Sequence, residues 1–397
     1  MLPQLINRNP DLARLREAGL EVSIIHDQLV VSGIPYVNSS RQIRLGTLIS
    51  DLSSISGEMT ASPIQMHVAK WAGEYPCDSH GNALENLRHM SEDVTYGPLL
   101  TSNHSFSSKP RDGYRDYFHK MTTYIAMIER HAQLLDPNVT SRTRKVVESE
   151  DETSPFHYLD TASGRIGTTD ISRKLELSRV GIFGTGGTGS YVLDLVAKTP
   201  VREIAIYDGD VFLQHNAFRA PGAPSIDALN KLQKKVDYLS DIYSKMHRGI
   251  VPHPFPICED TIDQIGEFDF AFICMDSGRS KELLVEYLES KNIAFVDVGI
   301  GAELIDNDGL TGLVTVTTST PMMRSHVRDN SRISFKNGGL DNVYRTNIQI
   351  ADLNALNASL AVIRWKKHCG FYRCDREPEH HSRYSISGNV ITNEDKL

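Results

Sequence analysis

The chain contains no C-x-x-C pair among its five cysteines, no long apolar run and no excess of basic residues. Each absence excludes something. Without paired cysteines, the structural zinc sites built from two such motifs are ruled out. A membrane-spanning helix needs about 20 consecutive apolar residues, and no stretch offers them, so no membrane partner is expected. With 42 Lys and Arg against 50 Asp and Glu, the net charge is −8. That balance excludes a broad basic face neutralising nucleic-acid phosphates. The first residues, MLPQLINRNPDLARLREAG, lack the apolar centre of a secretory signal. Together with the odd cysteine count they lead us to expect a reducing, cytoplasmic setting. No internal repeat is present.

What is there is enough for two domains: 397 residues with 40% hydrophobic side chains. Residues 1–136 read as a small α+β domain. Pro10–Glu17 forms a short helix after Asn9, and Leu20–Ile25 and Gln28–Ser32 form a hairpin turning at His26–Asp27. Gly33–Pro35 is expected to turn the chain. Arg44–Leu52 and Val68–Trp71 add short elements, Gly73–Cys77 is a turn, and Tyr114–Leu135 is an amphipathic helix. Residues 137–158 are polar, mixed in charge and without periodicity, as an exposed linker would be. The second domain, 159–397, alternates strands and helices. That pattern predicts an α/β fold with a Rossmann-like, doubly wound, mostly parallel sheet.

Its centre is VGIFGTGGTGSYVLDLVAKTPVREIAIYDGDVFLQHNAFRA, residues 180–220. A buried strand runs into Gly184, Gly186, Gly187 and Gly189, a helix follows, and a second strand ends in Asp208 about 20 residues on. Glycines let a backbone approach phosphate, and a helix start offers free N–H groups to it. Asp208, closing the second strand, suits the hydroxyls of a ribose. Beyond it, Leu229–Tyr243 reads as one long helix, Phe268–Cys274 and Ile293–Val298 as strands, Lys281–Ser290 and Asp352–His368 as helices, and Glu379–His381 as a solvated loop.

The glycine loop, Asp208-Gly209-Asp210 and Asn216-x-x-Arg219 together resemble the ThiF-type adenylyltransferases, the superfamily that includes ubiquitin-activating enzymes. Lys231 matches the family's lysine opening the next helix, with Lys234 and Lys235 left open as alternatives, and Asp276 matches the acid after the fourth strand. The likeness spans about 159–370. It implies ATP- and Mg-dependent adenylation of the C-terminal carboxylate of a ubiquitin-like protein. Arg219 and Lys231 would hold phosphates and Asn216 would position them, Gly184, Gly186, Gly187, Gly189, Asp208 and Asp210 would complete the nucleotide site, and Asp276 would hold Mg. It further implies a homodimer and a conjugating-enzyme-like partner, with Arg165 a candidate to reach a partner subunit's nucleotide.

Gly33–Tyr36 and Trp71–Cys77 resemble an N-terminal domain of bacterial members encoded beside a ubiquitin-like protein, a conjugating-enzyme-like protein and a JAB-type peptidase. A protein-binding surface is the expectation for that domain. Relatives that pass the adenylate to a cysteine carry it beyond the fifth strand, where GLVTVTTSTPMMRSHVRDN has none. Cys77, read as an exposed loop residue, Cys369 and a hydroxyl within Thr317–Thr320 stay open as acceptors, while Cys274 reads as core. A zinc site from Cys369, Cys374, His380 and His381 has no recognised spacing. Two other functions fit the glycine loop alone: an NAD-dependent oxidoreductase, and a nucleotide-bound scaffold without catalysis.

Overall fold

The computed structural model describes residue 6 and residues 9–52, 66–98, 100–149, 153–162, 169–276, 278–305, 309–335, 348–375 and 379–393. The chain forms two compact units, Met1–Asp151 with Tyr158–Thr169, and Glu152–His157 with Asp170–Leu397.

In the first unit α1 (Pro10–Glu17) precedes an antiparallel sheet of β1 (Glu21–Ile25), β2 (Gln28–Val37), β3 (Ile43–Asp51), β4 (Val68–Ala72), β5 (Arg88–Thr95) and β6 (Thr101–Ser107), ordered β1-β2-β3-β4-β6-β5. His26 and Asp27, at φ 46° and 59°, make the tight hairpin between β1 and β2. The turn expected at Gly33–Pro35 is instead an irregularity within β2. Gly33 takes φ 71°, and the pairing with β3 shifts between Val31 and Ile34 before resuming. One positive-φ glycine kinks a strand without reversing it. The helix α2 (Tyr117–Gln133), capped by Asp116, covers the sheet with Tyr117, Met121, Tyr124 and Ile128, which pack into a core with Trp71 and Phe106.

The first part of the expected linker lies on this unit: Ser141 N donates to Glu129 Oε1 (2.6 Å) and Arg144 N to Gly19 O (2.9 Å). Residues 152–157 belong to the second unit, where His157 N donates to Met246 O (3.0 Å).

The second unit is built on an eight-stranded sheet, β14-β13-β12-β11-β10-β7-β8-β9. Its parallel part comprises β7 (Arg179–Phe183), β8 (Glu203–Tyr207), β9 (Ile250–His253), β10 (Phe270–Ile273) and the start of β11 (Phe295–Ile305). From β11 the sheet continues antiparallel through β12 (Gly309–Ser319), β13 (His381–Ser385) and β14 (Val390–Asn393). One face carries α3 (Gly187–Val196), α4 (Ile226–Asn230), α5 (Lys235–Tyr243) and α7 (Ala351–His368), packed around Val192, Leu239 and Trp365. The other carries α6 (Arg279–Ser290) through Leu284, Val285 and Leu288. Helices on both faces make the unit doubly wound, as the alternating pattern predicts.

Two expectations are corrected. The long helix over Leu229–Tyr243 is two helices separated at Leu232, whose φ is 49°. The solvated histidine loop is in part strand: His381 begins β13, is buried, and meets Thr317 Oγ1 through Nδ1 at 2.9 Å.

Candidate active site

In a doubly wound sheet ligands bind beyond the carboxyl ends of the strands where the order reverses. Here that place lies between β7 and β10, since β8 continues one way from β7 and β10 lies on the other side. A cavity of about 1200 Å³ opens there. Its wall includes Gly184, Gly186, Gly187, Asp208, Asp210, Arg219 and Asp276 among the expected residues.

The glycines divide by role. Gly184 has φ 85°, and a Cβ on it would lie 2.6 Å from Cys274 O. Gly187 is pressed against Asn354, and Gly189, which does not line the cavity, against Gly184 O. Those three serve close packing of helix, strand and loop. A Cβ on Gly186 would meet nothing within 4 Å. Gly186 caps α3, so the unpaired N–H groups of that helix start stand beside open space.

Asp208 organises the loop. Its Oδ2 accepts from Thr185 N (2.8 Å) and Thr185 Oγ1 (3.2 Å), and its Oδ1 accepts from Asp210 N (2.9 Å). The lysine that meets these acids is Lys235. Its Nζ stands 2.7 Å from Asp210 Oδ2 and 3.6 Å from Asp208 Oδ1. Its side chain is 9% exposed, whereas that of Asp210 is 75% exposed. The hydrogen bond from Lys235 holds the Asp210 carboxyl below its ordinary range.

Lys231, favoured from the sequence, follows the last turn of α4, is exposed, and does not line the cavity. The reason is the break at Leu232. After it the chain runs back along 210–212, with Phe212 N donating to Gln233 O (2.8 Å) and Lys235 N to Asp210 O (2.9 Å). The helix that opens at the site is therefore α5, and Lys235 is its first residue. Lys234 Nζ donates to Gly209 O.

Asn216 is buried outside the cavity wall and accepts Leu213 N through Oδ1 (2.8 Å). Its Nδ2 and the Nε of Arg219 are buried without a partner. A buried donor left unpaired costs about as much as a lost hydrogen bond. Of the two, Arg219 lines the cavity, and its unpartnered donor together with the open flank of Gly186 in the same wall fits an anionic group such as a nucleotide phosphate. Asp276, exposed in the cavity wall after β10, offers the carboxylate oxygen that a hard divalent cation takes alongside phosphate and water.

Sequence reasoning missed two features. Asn354 on α7 bonds Thr188 Oγ1 through Oδ1 (2.9 Å) and Arg219 O through Nδ2 (3.4 Å), tying the glycine helix to the arginine. Asn354 and Asn357, buried on the core side of α7, are its available signal. Lys281 on α6 and Asp297 on β11 form an ion pair in the cavity wall, at 2.7 Å. Burial pushes the Asp297 carboxyl up, against the pull of Lys281. No local motif signals that pair.

The open acceptors look different once placed. Cys77 is buried, not exposed, and burial pushes its thiol up. Cys369 is pushed up to about 11 by burial, and Cys274 is pushed up by burial and then by Asp297. A raised thiol carries little thiolate, the reactive form. Thr317, Thr318 and Ser319 are buried. Among the described residues no group of three or more His, Cys, Asp or Glu could hold a metal ion, and Cys369, Cys374, His380 and His381 form no such group. No helix among them is long and apolar enough to cross a membrane. Arg165 lies outside the described residues.

The fold class is thus a doubly wound nucleotide-type sheet with its cavity at the switch point. The ThiF family model matches residues 161–378, more than half of the chain, and the chain belongs to the ThiF family. Residues 10–161 match a domain of unknown function, DUF6791. Among solved structures it is similar to E. coli MccB with succinimide, at 16% identity and TM-score 0.44, covering 57% of this chain and 66% of that one. It is similar also to PaaA (15%, TM-score 0.45, 60% and 80%) and to E. coli MccB with ATP (17%, TM-score 0.41, 57% and 65%). The likeness thus spans just under two thirds of those MccB chains. No curated protein matches the chain.

Proposed function

We propose that this protein is an adenylyltransferase that uses ATP and Mg to activate the C-terminal carboxylate of a ubiquitin-like protein. The observation that carries the reading is the unpartnered buried Nε of Arg219, a residue that shares the cavity wall with the open flank of Gly186. A carboxylate attacking the α-phosphate gathers negative charge on the phosphate oxygens, and fixed donors aimed there stabilise it. Arg219 presents a fork that grips two oxygens, and Lys235 adds a point charge at the start of α5. Asp210, mostly exposed, is the freer carboxylate for ribose hydroxyls, because Asp208 is engaged in holding the loop. Phe255 and Ile257 give the cavity an apolar side suited to a base. Asp276 would hold magnesium, which when bound supplies Lewis-acid charge to phosphate.

A homodimer belongs to the same reading. Phe218, Ile226 and Leu232 are 78%, 77% and 60% exposed in one short segment, apolar side chains that a second copy could cover. Transfer onward to a conjugating-enzyme-like protein in the cytoplasm completes the proposed pathway.

The test is ATP–pyrophosphate exchange with ubiquitin-like proteins as substrate. Exchange should require the free C-terminal carboxylate and fall about 100-fold or more in Asp276→Ala. Exchange that survives Asp276→Ala, or that no carboxylate supports, refutes the reading.

A further inference from the structure

The Asp276 loop is short. β10 ends at Ile273 and α6 begins at Arg279, so the acid lies between a strand end and a helix start. The strand end is held by the sheet: Ile273 pairs with Phe183 on one side and Asp297 on the other. The helix start is held by Lys281, in its first turn, whose Nζ reaches Asp297 Oδ1 at 2.7 Å. Asp297 therefore touches both sides of the loop, through its backbone pairing and through its carboxylate. Both side chains are more than nine-tenths buried, at 6% and 7% exposed, and both line the cavity.

A buried ion pair is a poor source of stability. Desolvating two charges offsets much of their attraction, and apolar replacements are often as stable or more so. Packing alone gives no reason for charge at this spot. The charges do fix direction: a 2.7 Å ion pair defines where the first turn of α6 sits relative to β11 more tightly than apolar contact would. Gly278, at φ 145°, lets the chain enter the helix sharply just before that turn.

We propose that Lys281 and Asp297 are positioning residues that set the Asp276 carboxylate for the metal–nucleotide complex, an inference that rests on the nucleotide reading above. They act by holding the two ends of the loop in one register, as outer partners commonly do for a metal-binding group.

The full chain is compared with Lys281→Arg, Lys281→Met and the double variant Lys281→Met with Asp297→Leu. Three quantities are measured: thermal midpoint, amide exchange over residues 274–280 without ligand, and the Mg²⁺ midpoint for binding a fluorescent ATP analogue. Lys281→Met alone leaves a buried carboxylate unpaired and should lower the thermal midpoint. The double variant should recover that midpoint yet retain faster loop exchange and an Mg²⁺ midpoint raised about tenfold. Lys281→Arg should stay close to the wild type. A double variant with wild-type loop exchange and wild-type Mg²⁺ midpoint overturns the proposal, because the pair would then serve only the fold. If the wild type binds the analogue without Mg²⁺ dependence, the nucleotide–metal reading fails, and loop exchange in the double variant decides the positioning role by itself.

Discussion

Lys235 and Lys231 differ by four positions in sequence and by everything else in placement. Lys235 is buried against Asp208 and Asp210 in the cavity wall, while Lys231 is exposed beyond the end of α4. If the cavity activates a carboxylate, Lys235→Met should cut pyrophosphate exchange about 100-fold, the size expected for a lost fixed cation. Lys231→Met should leave it unchanged. The reverse ranking, read in the same exchange assay, would return the role to Lys231. The sequence favoured Lys231 and left Lys234 and Lys235 open, because the φ of Leu232 decides among them and a leucine does not announce a left-handed backbone.

A second residue-scale prediction concerns Lys120 in the first unit. It is fully buried, donates to Ser50 Oγ (2.8 Å) and Val68 O (2.7 Å), and faces Asp51 and Lys70. Burial pulls its ammonium down to about 8. The folded value is then below the unfolded one, so between about pH 8 and 10.5 the unfolded chain binds more protons. Stability from this group should rise with pH across that window, and the penalty is complete below it. The stability difference between wild type and Lys120→Met should therefore shift by roughly 3 kcal/mol in favour of the wild type from pH 7 to 10.5. Chemical denaturation at the two pH values measures it. A pH-independent difference would mean the lysine keeps its charge at no cost.

At the scale of elements, strands with apolar alternation and helices with apolar stripes were legible, and polar ones were not. The hairpin at His26–Asp27, the helix Tyr117–Gln133 and the strand–glycine–helix unit at Arg179 all follow from their patterns. The hairpin of β5 and β6 does not. Nearly every residue of β5 is exposed, so no buried alternation marks it. The divided helix at Leu232 shows the same limit, since periodicity continues across a break that backbone geometry imposes. Here the two readings predict opposite signs. In a continuous helix Leu232→Gly would cost about 1 kcal/mol. At a left-handed helix end glycine is the preferred residue, so the substitution should leave stability unchanged or raise it by up to about 1 kcal/mol. Thermal or urea unfolding of the variant separates them.

Across the whole molecule, the family and fold class were readable because several charged motifs follow the glycine loop in a fixed order, with Asp208 and Asp276 placed just after strand ends. Gly184, Gly186, Gly187, Asp208, Asp210, Arg219 and Asp276 come together in one cavity although 92 residues separate the first from the last. The pair Lys281–Asp297 was not readable, because only the sheet order brings a helix start next to the fifth parallel strand. The first unit states no chemistry in either its residues or its fold.

The central claim is that this cavity joins a protein's terminal carboxylate to the α-phosphate of ATP. Oxygen transfer tests it most directly. A ubiquitin-like protein carrying ¹⁸O in its C-terminal carboxylate is incubated with the enzyme, ATP and Mg²⁺, and hydroxylamine is added to take the acyl group. Attack at the acyl carbon releases AMP that keeps one carboxylate oxygen, so AMP bearing ¹⁸O is predicted, with pyrophosphate as the other product. AMP without the label, or ADP in its place, would contradict the account.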